Sequence, residues 1–274
     1  MRIAIQGEPG SFSHEAALSM LRGPEIVPCS FSPEVFRRVV EGDVDAAVIP
    51  IENSLAGSVV EHYDLLLTHE VAVEREHLLA IHHNLIVVPG TAIDQLHRVY
   101  SHPIALAQCR RFFEQHTSIE PVPYYDTAGS VKQLVELRDR SCGAIASAQA
   151  AAHYGGEVLL PHLEDAPENY TRFFLIRKRE LVQPDPQADK VSLAFTVENR
   201  PGTLVGALEA FSSQGVNLTK IESRPVHGRP WRYVFFADYQ LGSVESADNA
   251  IRLLGEHCSM VTELGRYRAG QVEK

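Results

Sequence analysis

Apolar and polar positions along the chain follow one rhythm up to about residue 180 and another after about residue 190. In the first stretch, short apolar runs alternate with segments of helical period: "IAI" then "SHEAALSML", "DAAVIPI" then "SVVEHYDLLLTH", "RVYSH" then "PIALAQCRRFFEQ", and "CGAIAS" then "AQAAAHYG". Short strands alternating with amphipathic helices predict α/β layers with largely parallel pairing. In residues 71–88, "VAVEREHLLAIHHNLIVV", two long strands in succession are read as a crossing between two lobes. This reading puts lobe one at about 1–77 and 161–180 and lobe two at about 78–160.

Residues 168–176, "ENYTRFFLI", form an unusual strand. From Phe173 onward both alternating faces are apolar, the signature of a strand covered on both sides, yet the entry is the polar run Asn169, Tyr170, Thr171, Arg172. A strand returning to the first lobe with such an entry would carry these groups to a cleft.

"ELVQPDPQADK", residues 180–190, has two prolines and no periodicity and is read as a linker, with 1–180 before it and a second domain at 191–270. The second domain reads strand "VSLAFTV", helix "PGTLVGALEAFSSQG", strand "VNLTKIESRPV", strand "WRYVFFADYQ", helix "SVESADNAIRLLGEHC", strand "MVTELGRY". Pro201 suits a first helical position and Gly215 a helix exit. The order βαββαβ within one small domain is that of a ferredoxin-like module.

Composition narrows the function classes. The 274 residues carry 25 basic and 35 acidic side chains, a formal charge of −10, which argues against nucleic-acid or anionic-membrane partners. No apolar run approaches a membrane span and the opening "MRIAIQGEPG" reads as a strand and turn rather than a leader, so a cytoplasmic location is expected. The cysteines, Cys29, Cys109, Cys142 and Cys258, form no CxxC pair. His77, His82 and His83 lack helical ligand spacing and no HExxH occurs, so neither a metal nor a cofactor is expected.

Candidate chemistry lies in polar segments at strand ends and helix starts. "GEPGSFS", residues 7–13, offers glycines for close backbone approach and free N–H groups at a helix start for an anion. "IPIENSLAGSV", residues 49–59, presents Glu52, Asn53 and Ser54; "VYSHPIALAQC", residues 99–109, presents Ser101 and Gln108; "YYDTAGS", residues 124–130, presents Asp126 and Thr127. Each alone reads equally as capping or turn chemistry. Together they supply hydroxyls, amides and one arginine, with no nucleophile–histidine pair. Such a site orients a small anion by hydrogen bonds and suits a reaction that needs little strong acid or base.

The ordered set "GEPGSFSHEAA", "IPIENSLAGSV", "SHPIALAQC", "DTAGS" and "NYTRFFLI" resembles the prephenate dehydratase family, and "ENRPGTLVGALEAF" with "NLTKIESRP" resembles its ACT regulatory domain. The resemblance implies a catalytic region of two α/β lobes like a periplasmic binding protein, decarboxylating dehydration of prephenate to phenylpyruvate in phenylalanine biosynthesis, and feedback by L-phenylalanine. It implies Thr171 as the catalytic residue, with Asn53, Ser54, Ser101, Gln108 and Thr127 lining the pocket and Glu52, Asp126 and Arg172 around it. Strand alternation points Arg172 away from Thr171, so an anchoring role on Glu52 or Asp126 stays open beside substrate contact. For the effector it implies Gly202, Thr203 and Leu204 at a helix start, Asn217 and Leu218 on the facing wall, and Glu222, Ser223, Arg224 and Pro225 of "ESRP". Thr203 stands where the family usually has alanine. A homodimer or homotetramer is implied by analogy, and arogenate dehydratase and a non-catalytic small-anion receptor are the alternative readings. No mutase or dehydrogenase segment is expected.

Overall fold

The structure, a computed structural model, describes residues 1–226, 228 and 231–272. The chain runs β1 (Arg2–Gln6), α1 (Phe12–Met20), β2 (Glu25–Cys29), α2 (Ser32–Glu41), β3 (Ala46–Asn53), β4 (Gly57–Ser58), α3 (Val60–Thr68) and β5 (Val71–Ala80). It continues through β6 (Asn84–Val87), β7 (Arg98–Ser101), α4 (Pro103–Gln108), α5 (Arg110–Gln115), β8 (Glu120–Pro123), α6 (Thr127–Leu137), β9 (Cys142–Ala146), α7 (Ala148–Tyr154), β10 (Glu157–Leu160) and β11 (Tyr170–Lys178). The last elements are β12 (Lys190–Val197), α8 (Thr203–Ser212), β13 (Leu218–Pro225), β14 (Tyr233–Gln240), α9 (Val244–His257) and β15 (Cys258–Tyr267). Contacts divide the chain into two compact units, one of Met1–His62, His77–Leu175 and Gln271–Lys274, the other of Tyr63–Glu76 and Ile176–Gly270.

Two sheets contain the strands of the first unit, and β5 and β11 each have residues in both units. One has the order β2-β1-β3-β11-β5 with β4 paired to β3, and the other β10-β6-β9-β7-β8. β1 is parallel to both β2 and β3, as the alternation of strands and helices predicts. The second sheet is mixed: β7 is parallel to β8 and β9, whereas β6, by which the chain enters this sheet, runs against both of its neighbours. The core of the first sheet joins Ile3, Ile5, Ala46 and Val48 to Ala16 and Ala17 of α1 and to Phe173 and Leu175 of β11. Phe173, Phe174, Leu175 and Ile176 are all fully or almost fully buried, which accounts for the doubly apolar pattern of that strand.

The helix read as continuous over 103–115 is broken at Cys109 (φ −122°, ψ 35°) into α4 and α5. A carboxylate from a distant loop causes the break: Asp165 accepts from the N–H groups of Arg110 and Arg111 at 3.0 and 3.1 Å, capping a new helix start.

In the second unit the order β13-β14-β12-β15, all antiparallel, is the ferredoxin-like arrangement. Ala207, Ala210 and Phe211 of α8 and Ala247, Ala250 and Leu254 of α9 pack on Val191, Leu193 and Phe195. The strand read from residue 231 begins at Tyr233, because Trp231 sits in a turn at φ 64° and is largely exposed.

Candidate active site

A cavity of about 980 Å³ opens within the first unit. Its wall contains Thr171 and Phe173 of β11, Asn53 at the end of β3, Gln108 at the end of α4, Asp126 and Thr127 at the start of α6, and Ser11, Phe12 and Ser13 at the start of α1. His83, His102, Phe31, Ile104, Glu8 and Tyr125 are among its other lining residues. Among the described lining residues there is neither lysine nor arginine.

Asn53 is the node of the polar wall. Its amide nitrogen lies within donating distance of Thr171 Oγ1 (2.9 Å), Asn169 Oδ1 (2.8 Å) and the Tyr170 carbonyl (3.1 Å). Its oxygen accepts from the N–H groups of Leu55 and Ala56, the turn chemistry expected of "ENS". Gln108 extends the network: Oε1 accepts from Asn169 Nδ2 at 3.0 Å and from His83 Nε2 at 2.8 Å, while Nε2 lies 3.4 Å from Asn53 Oδ1. Because His83 donates through Nε2, its Nδ1 carries the lone pair, and that atom is buried with no hydrogen-bond partner among the described residues. Burial also pushes the His83 imidazole below its ordinary pKa, so it stands neutral.

This wiring fixes the hydroxyl of Thr171. With Asn53 donating to Oγ1, the threonine proton is available to an acceptor in the cavity. Thr171 is buried, yet its side chain reaches the cavity surface.

The start of α1 also lies on the cavity wall. Ser11 caps it, accepting from His14 N–H at 3.4 Å, and the N–H groups of Phe12 and Ser13 have no partner inside the helix. Gly10 lets this turn meet α7: at φ +88°, a Cβ there would stand 2.8 Å from Ala150 Cα, and the Gly10 carbonyl accepts from Ser147 Oγ at 2.7 Å. At the facing helix start, Asp126 accepts from Gly129 N–H at 2.7 Å as the N-cap of α6. Burial nevertheless raises its pKa, with Glu8 contributing in the same direction. Glu8 is held by Tyr125 Oη at 3.0 Å and Lys132 Nζ at 3.2 Å.

Four candidates fall outside the wall. Ser101 is fully buried at the end of β7 and donates to the Ile145 carbonyl, a bond within the second sheet. Ser54 fastens β3 to β11, accepting from Tyr170 N–H at 3.0 Å and lying 3.3 Å from the Glu168 carbonyl. Arg172 faces away from Thr171, as alternation requires; its guanidinium is 3.8 Å from Glu52 and 4.6 Å from the centre of the Phe174 ring. Arg172 and Glu52 therefore form an anchoring pair behind the strand. Asn169, His83, His102, Glu8 and Tyr125 are site residues absent from the sequence candidates. Asn169 belongs to the polar run at the entry to β11, and Glu8, His102 and Tyr125 lie inside the polar segments quoted from the sequence; His83 lies in none of them.

In the second unit, Gly202 adopts φ 84° and caps α8. The Thr203 hydroxyl lies 2.6 Å from the Glu198 carbonyl and 2.9 Å from the Arg200 carbonyl, Leu204 packs against the core, and Asn217 donates to Gln240 at 3.0 Å. β13 is an edge strand that alternates partly buried Leu218, Lys220, Glu222 and Arg224 with exposed Thr219, Ile221, Ser223 and Pro225. Glu222 pairs with Lys220 at 3.3 Å and Arg224 with Asp64 at 2.9 Å.

The family model for prephenate dehydratase matches residues 3–181, more than half of the chain, and that for the ACT domain matches residues 191–238. The chain belongs to the prephenate dehydratase family. An arogenate dehydratase/prephenate dehydratase of Arabidopsis thaliana is 37% identical over 277 residues, 97% of this chain and 72% of the relative. The solved prephenate dehydratase of Arthrobacter aurescens in complex with L-Phe is 31% identical with a TM-score of 0.89, covering 98% of this chain and 90% of that one. A structure titled as GqqA, a novel type of quorum quenching acylase, is 32% identical with a TM-score of 0.90, covering 98% of each chain. The α/β prephenate dehydratase fold with a C-terminal ACT domain is thus the architecture of the chain, and among the described residues no helix is long and apolar enough to cross a membrane.

Proposed function

We propose that the chain catalyses the decarboxylating dehydration of prephenate to phenylpyruvate, with Thr171 as the catalytic residue. The observation that carries this reading is the Asn53–Thr171 hydrogen bond on the cavity wall, which presents a fixed hydroxyl proton where no strong acid, strong base or activated nucleophile is needed. In the reaction the bond from the ring to its carboxylate breaks, and its electron pair enters the ring as CO₂ leaves. The ring hydroxyl departs with its own bonding pair and is protonated to water, with solvent supplying the net proton. Aromatisation drives the step, so the protein has only to orient the diene and stabilise charge developing on the departing oxygen. Thr171 does this by donating a hydrogen bond, while Asn169, Asn53, Gln108 and His83 hold its strand and rotamer.

The side-chain carboxylate, which survives the reaction, would bind at the start of α1, whose first residues Phe12 and Ser13 line the cavity and have N–H groups without an intrahelical partner. The carboxylate that leaves needs the opposite treatment, because a cation bound to it would stabilise the ground state and slow its loss. A wall without lysine or arginine among its described residues meets that requirement. Phe12, Phe31, Phe173 and Tyr125 supply apolar surface for the ring.

Arogenate is the second reading. It carries an ammonium group in place of the keto group, and the carboxylates of Glu8 and Asp126 on the wall suit a cation. L-phenylalanine is proposed as effector at the start of α8 and the "ESRP" end of β13, between paired copies of the module. The exposed edge of β13 is the surface proposed for pairing, giving a homodimer or homotetramer. The cytoplasm is proposed as the compartment, since all four cysteines are free thiols.

Incubating the purified chain separately with prephenate, arogenate and an N-acyl amide, and following phenylpyruvate, phenylalanine and free amine, tests the reading. Phenylpyruvate from prephenate at the higher kcat/KM is the expected outcome. Preference for arogenate replaces the substrate, release of free amine replaces the reaction class, and turnover of none of them supports a non-catalytic receptor.

A further inference from the structure

His82, in the connection between β5 and β6, and His162 and Glu164, in the loop after β10, bring three ligand atoms to one point. His82 Nδ1 is 2.8 Å from Glu164 Oε1, His162 Nδ1 is 3.1 Å from His82 Nδ1, and His162 Nδ1 is 3.4 Å from Glu164 Oε1. Three atoms bearing lone pairs thus face one another across a triangle. Hydrogen bonds alone serve it poorly. A proton on His82 Nδ1 satisfies the contact to Glu164 but leaves the lone pair of His162 facing the carboxylate oxygen. Protonating both nitrogens instead turns two N–H groups toward each other across 3.1 Å. A divalent cation at the apex satisfies all three edges together. Nitrogen and oxygen ligands roughly 2.0–2.1 Å from a tetrahedral ion stand about 3.3 Å apart, close to the observed edges.

The scaffold around these atoms is built. Glu164 is almost wholly buried, its side chain 4% exposed, and its second oxygen accepts from His83 N–H at 2.8 Å, which orients the carboxylate as an outer-shell donor does. Leu163 N–H bonds to the His83 carbonyl at 2.7 Å, locking the two segments together. His162 holds φ +54°, a left-handed conformation uncommon for a residue other than glycine. The two imidazoles are crossed at 80° and exposed on their outer sides, which leaves room for water as a further ligand.

We propose that His82, His162 and Glu164 form a binding site for a divalent transition cation of the zinc class, outside the cavity wall. The same loop continues to Asp165, which caps α5 and donates its N–H to the Gln108 carbonyl at 2.7 Å. A bound cation clips this loop to the connection that carries His83, and so stiffens the supports of Gln108 without entering the cavity.

The test is calorimetric titration of chelator-treated full-length protein with zinc chloride, beside the His82→Ala/His162→Ala variant, with Co²⁺ absorption as a second readout. Both substituted side chains are exposed, so the variant is expected to fold, and circular dichroism with the metal-free melting temperature verifies it. One site per chain with a dissociation constant below about 100 µM, a zinc-dependent rise in melting temperature, and loss of both in the variant are expected. Absence of saturable binding by the parent protein, or equal binding by parent and variant, overturns the site. Since neither readout uses turnover, the result stands apart from the proposed reaction.

Discussion

The side-chain amide of Asn53 donates to the hydroxyl of Thr171 across 2.9 Å, from the end of β3 to the start of β11. Two segments separated by more than a hundred residues thereby share one proton-directing contact. Removing the hydroxyl with Thr171→Ala should lower kcat on the preferred substrate by about a hundredfold or more, the scale at which a single donor to a developing oxyanion acts. Thr171→Ser should retain more activity. Steady-state kinetics decide the point: a fall of less than about tenfold in kcat, ~1.4 kcal/mol, removes Thr171 from the chemistry.

The same contact gives a test that leaves Thr171 in place. In Asn53→Asp the new carboxylate can only accept, so the threonine proton turns toward it and away from the cavity. The expected signature is a kcat loss about as large as that of Thr171→Ala, with the double variant little worse than either single variant. Fully additive losses would mean that the two residues act separately.

Arg172 and Glu52 belong to the frame of the site. The Arg172 side chain is 8% exposed and that of Glu52 35%, so solvent screens one end of the pair. Arg172→Leu is expected to cost about 1–3 kcal/mol by urea denaturation, below the range for a wholly buried pair. KM should stay within about threefold of the parent, because the guanidinium does not line the cavity. A large rise in KM at unchanged stability would instead put this residue on the substrate.

How much of this was legible beforehand depended on whether the cause lay within one segment. The β-strand and helix grammar of 191–270 reproduces the observed elements to within a few residues, since each helix carries its own apolar stripe and glycines lie in all but one of the connections. The strand–helix pairs read from the first stretch omit β2 and α2, although Val35, Phe36 and Val39 of α2 form a buried stripe of regular helical spacing. Thr171 was marked by its polar run, and the outward turn of Arg172 followed from strand alternation. The break at Cys109 was invisible because its cause, Asp165, lies 55 residues beyond Arg110, whose N–H it caps. Ser101 was misleading for a related reason. A serine at a strand end can face a cleft or its neighbouring strand, and only the β7–β9 pairing decides for the latter. His83 depends wholly on which loops meet.

Gly10 and Gly155 separate conformational freedom from close approach. Both have positive φ, +88° and +77°, but a Cβ at Gly10 would stand 2.8 Å from the backbone of Ala150, whereas one at Gly155 meets nothing within 4 Å. Gly155→Ala should cost about 1–2 kcal/mol, the penalty of a left-handed alanine. Gly10→Ala should cost roughly 2–4 kcal/mol, because the α1 turn must also move off α7. Equal losses in urea denaturation would show that the turn yields freely.

Asp126 makes a prediction about pH. Burial raises its folded-state pKa above the ordinary 3.8, so the folded chain holds this proton more tightly than the unfolded chain. The stabilising contribution is complete below the ordinary value and is lost as pH rises through the raised one. Above that window the ionised carboxylate opposes folding. Asp126→Asn keeps an oxygen to accept from Gly129 N–H and removes the charge. Its melting temperature relative to the parent should therefore rise as pH increases above the ordinary carboxylate value and level off once the raised one is passed. A difference that stays flat with pH would show that Asp126 titrates at its ordinary value.

Thr203 bears on the proposed effector site. Its added methyl and hydroxyl stand where the resembling family usually carries alanine, which would narrow a phenylalanine site at the start of α8. The hydroxyl instead lies within hydrogen-bond distance of the carbonyls of Glu198 and Arg200, so it is engaged inside its own loop. It also tightens the loop that leads to the Gly202 cap, at φ 84°, where the Thr203 N–H donates to the Arg200 carbonyl at 3.3 Å. The chain should therefore bind L-phenylalanine at millimolar concentration or below, and Thr203→Ala should leave the affinity within about threefold, or ~0.7 kcal/mol. Calorimetry on both proteins checks this. Tighter binding by the variant, by tenfold or more, would mean that the threonine obstructs the site; no heat from either protein would remove phenylalanine as effector.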